Sequence, residues 1–228
     1  MKIRTIAMSV AGLFTAGLLS ASASAGIVVI DDFSTVDAAW PVSLHAPGSV
    51  DVFETGLATL GGTRSTTLEA TSVGVPGIDF VQAAISAGAG LLDYNSTVNT
   101  DGHLMLLYDG DGTLNADFSA LNSIAVAFTM FDHAGGAPLD VTIELSDGVN
   151  SATHTLSLVS PGGQALSFSF GDFAGIGALN LGSIQSIEIN IDPAIGADFR
   201  ITEIMAIPAP AGLALLSIAF AAPRRRRD

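Results

Sequence analysis

A polar–apolar alternation with a period of two runs through the second half of this 228-residue chain. In Leu166-Ser167-Phe168-Ser169-Phe170 every second side chain is apolar. Val141-Thr142-Ile143-Glu144-Leu145, Thr155-Leu156-Ser157-Leu158, Ile187-Glu188-Ile189-Asn190-Ile191 and Phe199-Arg200-Ile201-Thr202 follow the same rule. Ser123 to Met130 sets Ile124, Val126, Phe128 and Met130 on one face. Side chains two apart share a face of a strand, so each segment reads as a strand with one side in a core and the other in water. Turn formers punctuate the series at Gly135-Gly136, Asp147-Gly148, Pro161-Gly162-Gly163, Gly171-Asp172 and Asp192-Pro193.

The first half is less regular. Ile27 to Ile30, Val50 to Phe53, Thr66 to Ala70, Phe80 to Ile85 and Leu104 to Tyr108 are strand candidates, and Val36 to Trp40 and Leu114 to Leu121 read as single helical turns. No window carries a long amphipathic helix. About ten strands without alternating helices predict an all-β fold, an antiparallel two-sheet β-sandwich. No repeat of fixed period and no dividing linker is visible, so residues 26–205 form one expected domain.

Three segments carry a resemblance: Ile30-Asp31-Asp32-Phe33, the Tyr108-Asp109-Gly110 turn, and Phe168-Ser169-Phe170-Gly171-Asp172-Phe173. With the closing Ile-rich strand pair they resemble a jelly-roll sandwich of the carbohydrate-binding-module type. The resemblance bears on fold far more than on function. Related sugar-binding modules carry a structural calcium between the terminal strands, which by analogy makes Asp31, Asp32, Asp198 and Glu203 candidates here, but no metal ligand is assigned.

Charge and composition exclude several functions. Residues 26–205 hold two arginines, Arg64 and Arg200, against 21 carboxylates, a formal −19, and no lysine. Such a surface repels nucleic acid and anionic lipid, so neither is expected as a partner. There is no cysteine, which removes disulfides, thiolate catalysis and cysteine metal sites. His45, His103, His133 and His154 show no metal-ligand spacing and read as loop or strand-surface residues. Asp132-His133 has no Gly-x-Ser-x-Gly partner, and no carboxylate pair stands out for glycoside hydrolysis, so no catalytic residue is assigned. Asp109-Gly110-Asp111-Gly112 lacks the glycine and glutamate of an EF-hand loop and reads as a turn. No cofactor is expected apart from the calcium implied above. Aromatic platforms for sugar are scarce, and Trp40 reads as the edge of the core.

The two ends have their own logic. Lys2 and Arg4 precede an apolar run from Ile6 to Leu19, and Ala23-Ser24-Ala25 offers small residues at Ala23 and Ala25. Residues 1–25 read as a signal peptide, handled by the Sec translocase and signal peptidase. Residues 206–228 hold Pro208-Ala209-Pro210, an apolar run from Ala211 to Ala222, and Arg224, Arg225, Arg226 and Arg227. As a short hydrophobic helix the run reaches about 18 Å, against a hydrocarbon core of about 30 Å. The arginines would stay on the cytoplasmic side. This three-part order resembles the PEP-CTERM sorting signal, with Ala209 where glutamate is usual. The resemblance implies an exosortase-like membrane protease as partner, transient membrane anchoring, and delivery to the cell surface or extracellular matrix. The expected function is that of an exported, non-enzymatic bacterial surface or matrix protein. The alternative is a carbohydrate-binding module acting on extracellular polysaccharide.

Overall fold

The structure is a computed structural model and describes residues 26–133 and 136–208. The alternation resolves into thirteen strands: β1 Val28–Asp31, β2 Val42–Leu44, β3 Gly48–Thr55, β4 Thr63–Ser72, β5 Val81–Ser86, β6 Leu91–Ser96, β7 Asp101–Tyr108, β8 Leu121–His133, β9 Leu139–Ser146, β10 Ser151–Leu158, β11 Gln164–Ser169, β12 Ser186–Asp192 and β13 Ala197–Pro208. They form two antiparallel sheets. One runs β11-β8-β13-β6-β5-β2, with β1 also on β13, and the other runs β10-β9-β12-β7-β4-β3. After β2 the chain passes from sheet to sheet at most connections, so the core is built from long-range contacts in a jelly-roll-like sandwich. Val36–Trp40 and Leu114–Leu121 are irregular rather than helical. The short 3₁₀ turns lie at Leu60–Gly62, Ala87–Ala89, Phe170–Asp172 and Ile176–Ala178.

The predicted inward faces meet between the sheets. Leu104, Leu106, Val141, Ile143, Ile187 and Ile189 come from the six-stranded sheet, and Ile124, Val126, Phe168, Phe199 and Ile201 from the other. Tyr94 stacks on Phe199 at 4.8 Å, and Phe128 meets Phe199 edge-on. Met130 departs from the expected pattern. Arg200 pairs with Met130 and Ile201 with Phe128, so a bulge skips Thr129, reverses the phase, and turns Phe131 inward instead. His154 also faces inward, edge-on to Phe168 and Phe173, rather than lying on the strand surface. β13 extends past the boundary expected at residue 205. Pro208, assigned to the sorting motif, is its last residue and pairs with Leu121. Ala23, Ala25, Ala209, Pro210, the C-terminal apolar run and Arg224–Arg227 lie outside the described residues.

One polar cluster bridges the sheets inside this core. Arg64 on β4 is 0% exposed. Its guanidinium donates to Asp31 Oδ2 on β1 at 2.7 Å and to Glu54 Oε2 on β3 at 2.6 and 3.0 Å. Tyr108 on β7 donates to Asp31 Oδ2 at 2.9 Å. Glu54 Oε1 accepts the N–H groups of Asp37 and Ala38 and the indole N–H of Trp40, which pins the β1–β2 connection. Trp40 is half-buried against the core, the place expected of it. Burial works to raise the Glu54 pKa, but the Asp37 N–H and the guanidinium outweigh it and hold that carboxyl below its ordinary 4.5. Asp31, the second carboxylate on a single cation, is pushed above its ordinary 3.8 by burial, against the pull of Arg64.

Arg64→Met leaves two buried carboxylates without a cation, and about 3–5 kcal/mol of stability is lost at pH 7. Without the cation Asp31 is raised further, and Glu54 loses the guanidinium's part of what holds its carboxyl down. The folded state then binds more protons, and the variant regains stability as pH falls from 7 toward 5. The wild type gains less over that range, because of the two carboxylates only Asp31 is raised. Its depressed Glu54 contributes stability that is lost only as pH falls through a folded value below 4.5. Urea unfolding at pH 7, 6 and 5 measures both trends.

Candidate functional site

Each strand of the six-stranded sheet sends every second side chain outward, and the printed registers align these into rows. One row runs Phe53, Ser65, Leu107, Glu188, Glu144, Thr153. The next runs Asp51, Thr67, Met105, Asn190, Thr142, Thr155. A third holds Ser49, Glu69 and His103, with Asp192, Asp140 and Ser157 toward the other edge. His103, Asp140, Thr142, Thr155, Asn190 and Asp192 line a concavity of about 220 Å³ on this face. Asp140 and Asp192 also line a neighbouring hollow with Pro138, Pro193 and Ile195. The two hollows therefore form a groove that leaves the face over one end of the sheet.

The face carries many acids and little positive charge. Glu144 sits directly opposite Glu188, and Asp140 opposite Asp192. Like charges in register repel, and both arginines of the sandwich are committed elsewhere: Arg64 to the interior and Arg200 to Asp93 on the other sheet. His103 Nε2 lies 3.0 Å from Glu69 Oε2. Burial first, and then Glu144, raise the pKa of Glu188 above its ordinary value. Asp192 is raised by burial, with Asp101 and Asp140 adding to it against the opposing effect of His103. Neutral groups are partly preset: Thr142 and Thr155 share a hydrogen bond of 2.8 Å, and Thr67 donates to Asp51 at 2.6 Å.

The candidate calcium ligands between the terminal strands do not converge. Asp31 points into the core at Arg64, Asp32 accepts from Ser34, and Asp198 near the start of β13 accepts the Ser96 N–H. Glu203 lies opposite Ala127. Among the described residues no group of three or more His, Asp or Glu side chains is placed to hold a metal ion. Asp109–Gly112 is a turn, with Asp111 at φ 56° and its N–H bonded to Asp109 Oδ1. His133 Nδ1 accepts the Gly136 N–H beside Asp132, and this pair lines a separate hollow of about 480 Å³ at one end of the sandwich with Asp79, Asp198 and Thr97. The outward rows were missed in the sequence because polar positions on a half-buried strand look the same whether they face bulk water or a ligand. Register is the signal that was lacking.

No protein-family model and no curated relative matches the chain. Solved structures similar to it include the family 11 carbohydrate-binding module of a cellulosomal cellulase of Clostridium thermocellum, at 16% identity and TM-score 0.40, covering 81% of this chain and 95% of that one. The module of that family from the same organism, in complex with a β-1,3-1,4-mixed-linked tetrasaccharide, is similar at 17% identity and TM-score 0.41, covering 81% and 96%. An exo-β-agarase is similar at 13% identity and TM-score 0.42, covering 81% of this chain and 26% of its own. Likenesses this distant decide neither ligand nor activity.

Proposed function

We propose that this chain is a non-catalytic, exported bacterial surface or matrix protein that binds extracellular polysaccharide on the outer face of its six-stranded sheet. The observation that carries the reading is that face: six strands wide, with a groove, hydrogen-bonding side chains in register, and no arginine or lysine. A glycan offers many hydroxyls to such a surface and needs no deep pocket. Uronate or sulfate groups would meet Glu144, Glu188, Asp140 and Asp192, so the glycan is neutral or carries ammonium groups. In this reading the opposed carboxylates Glu144 and Glu188 act in binding. Export through residues 1–25 and sorting through residues 206–228 complete the proposal.

Affinity electrophoresis of the full chain through gels holding mixed-linked β-glucan, chitosan or alginate tests the binding. Retardation by the first or second, with none by alginate, is expected; free migration through all three overturns the reading. Glu188→Gln removes one cross-strand repulsion and is expected to add a few tenths of a kcal/mol at pH 7, about 1 °C in Tm by calorimetry. Sorting is checked by mass spectrometry of cell-surface extracts. The mature form is expected to lack Arg224–Arg227, and their recovery in it removes that part of the proposal.

A further inference from the structure

Among the described phenylalanine, tyrosine and tryptophan side chains Phe53 alone is exposed, at 52%. Its direction follows from its neighbour. Glu54 is held inward by Arg64, and the pleat of β3 turns Phe53 outward. The pleat requires an outward residue but not an aromatic one. Directly opposite Phe53 stands Ser65, with Leu107 next in the row, so the ring has no large cross-strand partner to cover it. The ring therefore stays in water on the same face as the groove, on the far side of β4 and β7. Two inter-strand steps, about 10 Å, separate β3 from β7, where His103 begins the groove lining.

We infer that Phe53 is an aromatic platform that stacks on the C–H face of a pyranose ring, as a second subsite beyond the groove. The inference rests on the polysaccharide reading and deepens it. A pyranose presents axial C–H groups to an aromatic ring while its equatorial hydroxyls point sideways, so the ring's apolar face suits a sugar. The placement also sets a direction. The glycan crosses the strands, from the edge at Phe53 over Leu107 and Met105 toward Asn190 and Thr142. From β3 to β9 it passes four inter-strand steps, about 19 Å. The ligand is thus a chain of several sugars, and a single sugar is too short to reach both subsites.

Isothermal titration of the full chain with mixed-linked β-glucan and with chitosan tests this, comparing wild type with Phe53→Ala, Phe53→Leu and Phe53→Trp. Phe53→Ala is expected to weaken binding about tenfold, Phe53→Leu to stay weak, and Phe53→Trp to restore or exceed wild-type affinity. The Tm should stay within about 2 °C of wild type throughout, because the ring is not part of the core. Wild-type binding that Phe53→Ala matches overturns the inference and leaves the polysaccharide reading standing. Wild type that binds neither glycan overturns both. A dimer in sedimentation that Phe53→Ala dissolves would assign the ring to a protein contact and overturn the inference.

Discussion

Arg64 is the interaction on which the sandwich most depends. Among the described residues it is the buried cation of a mainly apolar core, and it binds elements far apart in sequence: Asp31 on β1, Glu54 on β3, and through Asp31 the hydroxyl of Tyr108 on β7. A buried charge is costly to desolvate, and the cost is offset only when its donors are met in good geometry. Here Nε, Nη1 and Nη2 all find oxygen, with the Thr35 carbonyl as an additional acceptor at 3.3 Å and the Phe33 ring near the guanidinium. A slip of one residue between β3 and β4 would turn Arg64 or Glu54 to the outside and leave its partner buried and unpaired. The cluster thus fixes register as well as joining the two sheets.

Register matters because the candidate face has no other organiser. Its rows run across six strands, and no loop or helix gathers them. Glu144 faces Glu188 only because β9 and β12 pair with one offset, and Phe53 lies over Ser65 only because β3 and β4 pair with another. The interior sets those offsets through Val141, Ile143, Ile187 and Ile189 on one side and through Glu54 and Arg64 on the other. The outward carboxylates work against the pairing that positions them. Their repulsion is a standing electrostatic cost, of the kind a surface retains when selection acts on what it contacts and not on stability alone.

The fold was legible because half-buried antiparallel strands write their phase into sequence. Leu166 to Ser169 and Ile187 to Ile191 lie where the alternation puts them, and Phe170, expected to continue the first, opens a 3₁₀ turn instead. β2 is three residues long and β6 reads Leu-Leu-Asp-Tyr-Asn-Ser, too short or too mixed for a period to show. Met130 failed because a bulge is a property of a pair of strands, and one strand alone does not reveal it. Asp31 looked like a cation ligand beside Asp32, because nothing local tells that Arg64, 33 residues on, reaches the first of them. The face was illegible for the same reason: its rows exist only after six strands have been aligned.

The two faces of the sandwich are not equivalent. Val28 pairs with Ala206, so the described residues nearest both ends of the chain lie side by side in the seven-stranded sheet. β1 and β6 share the same flank of β13, one toward each of its ends, which places that pair of exits on the flank of a strand inside the sheet. The groove and Phe53 belong to the other sheet, across the full thickness of the core. Sheets packed face to face stand about 10 Å apart, so the outer side of one is remote from strands of the other. β1 and the end of β13, the described strands nearest both ends of the sequence, thus belong to the sheet that does not carry the groove. The face with the unneutralised carboxylates is therefore turned away from the strands that border both ends of the described residues.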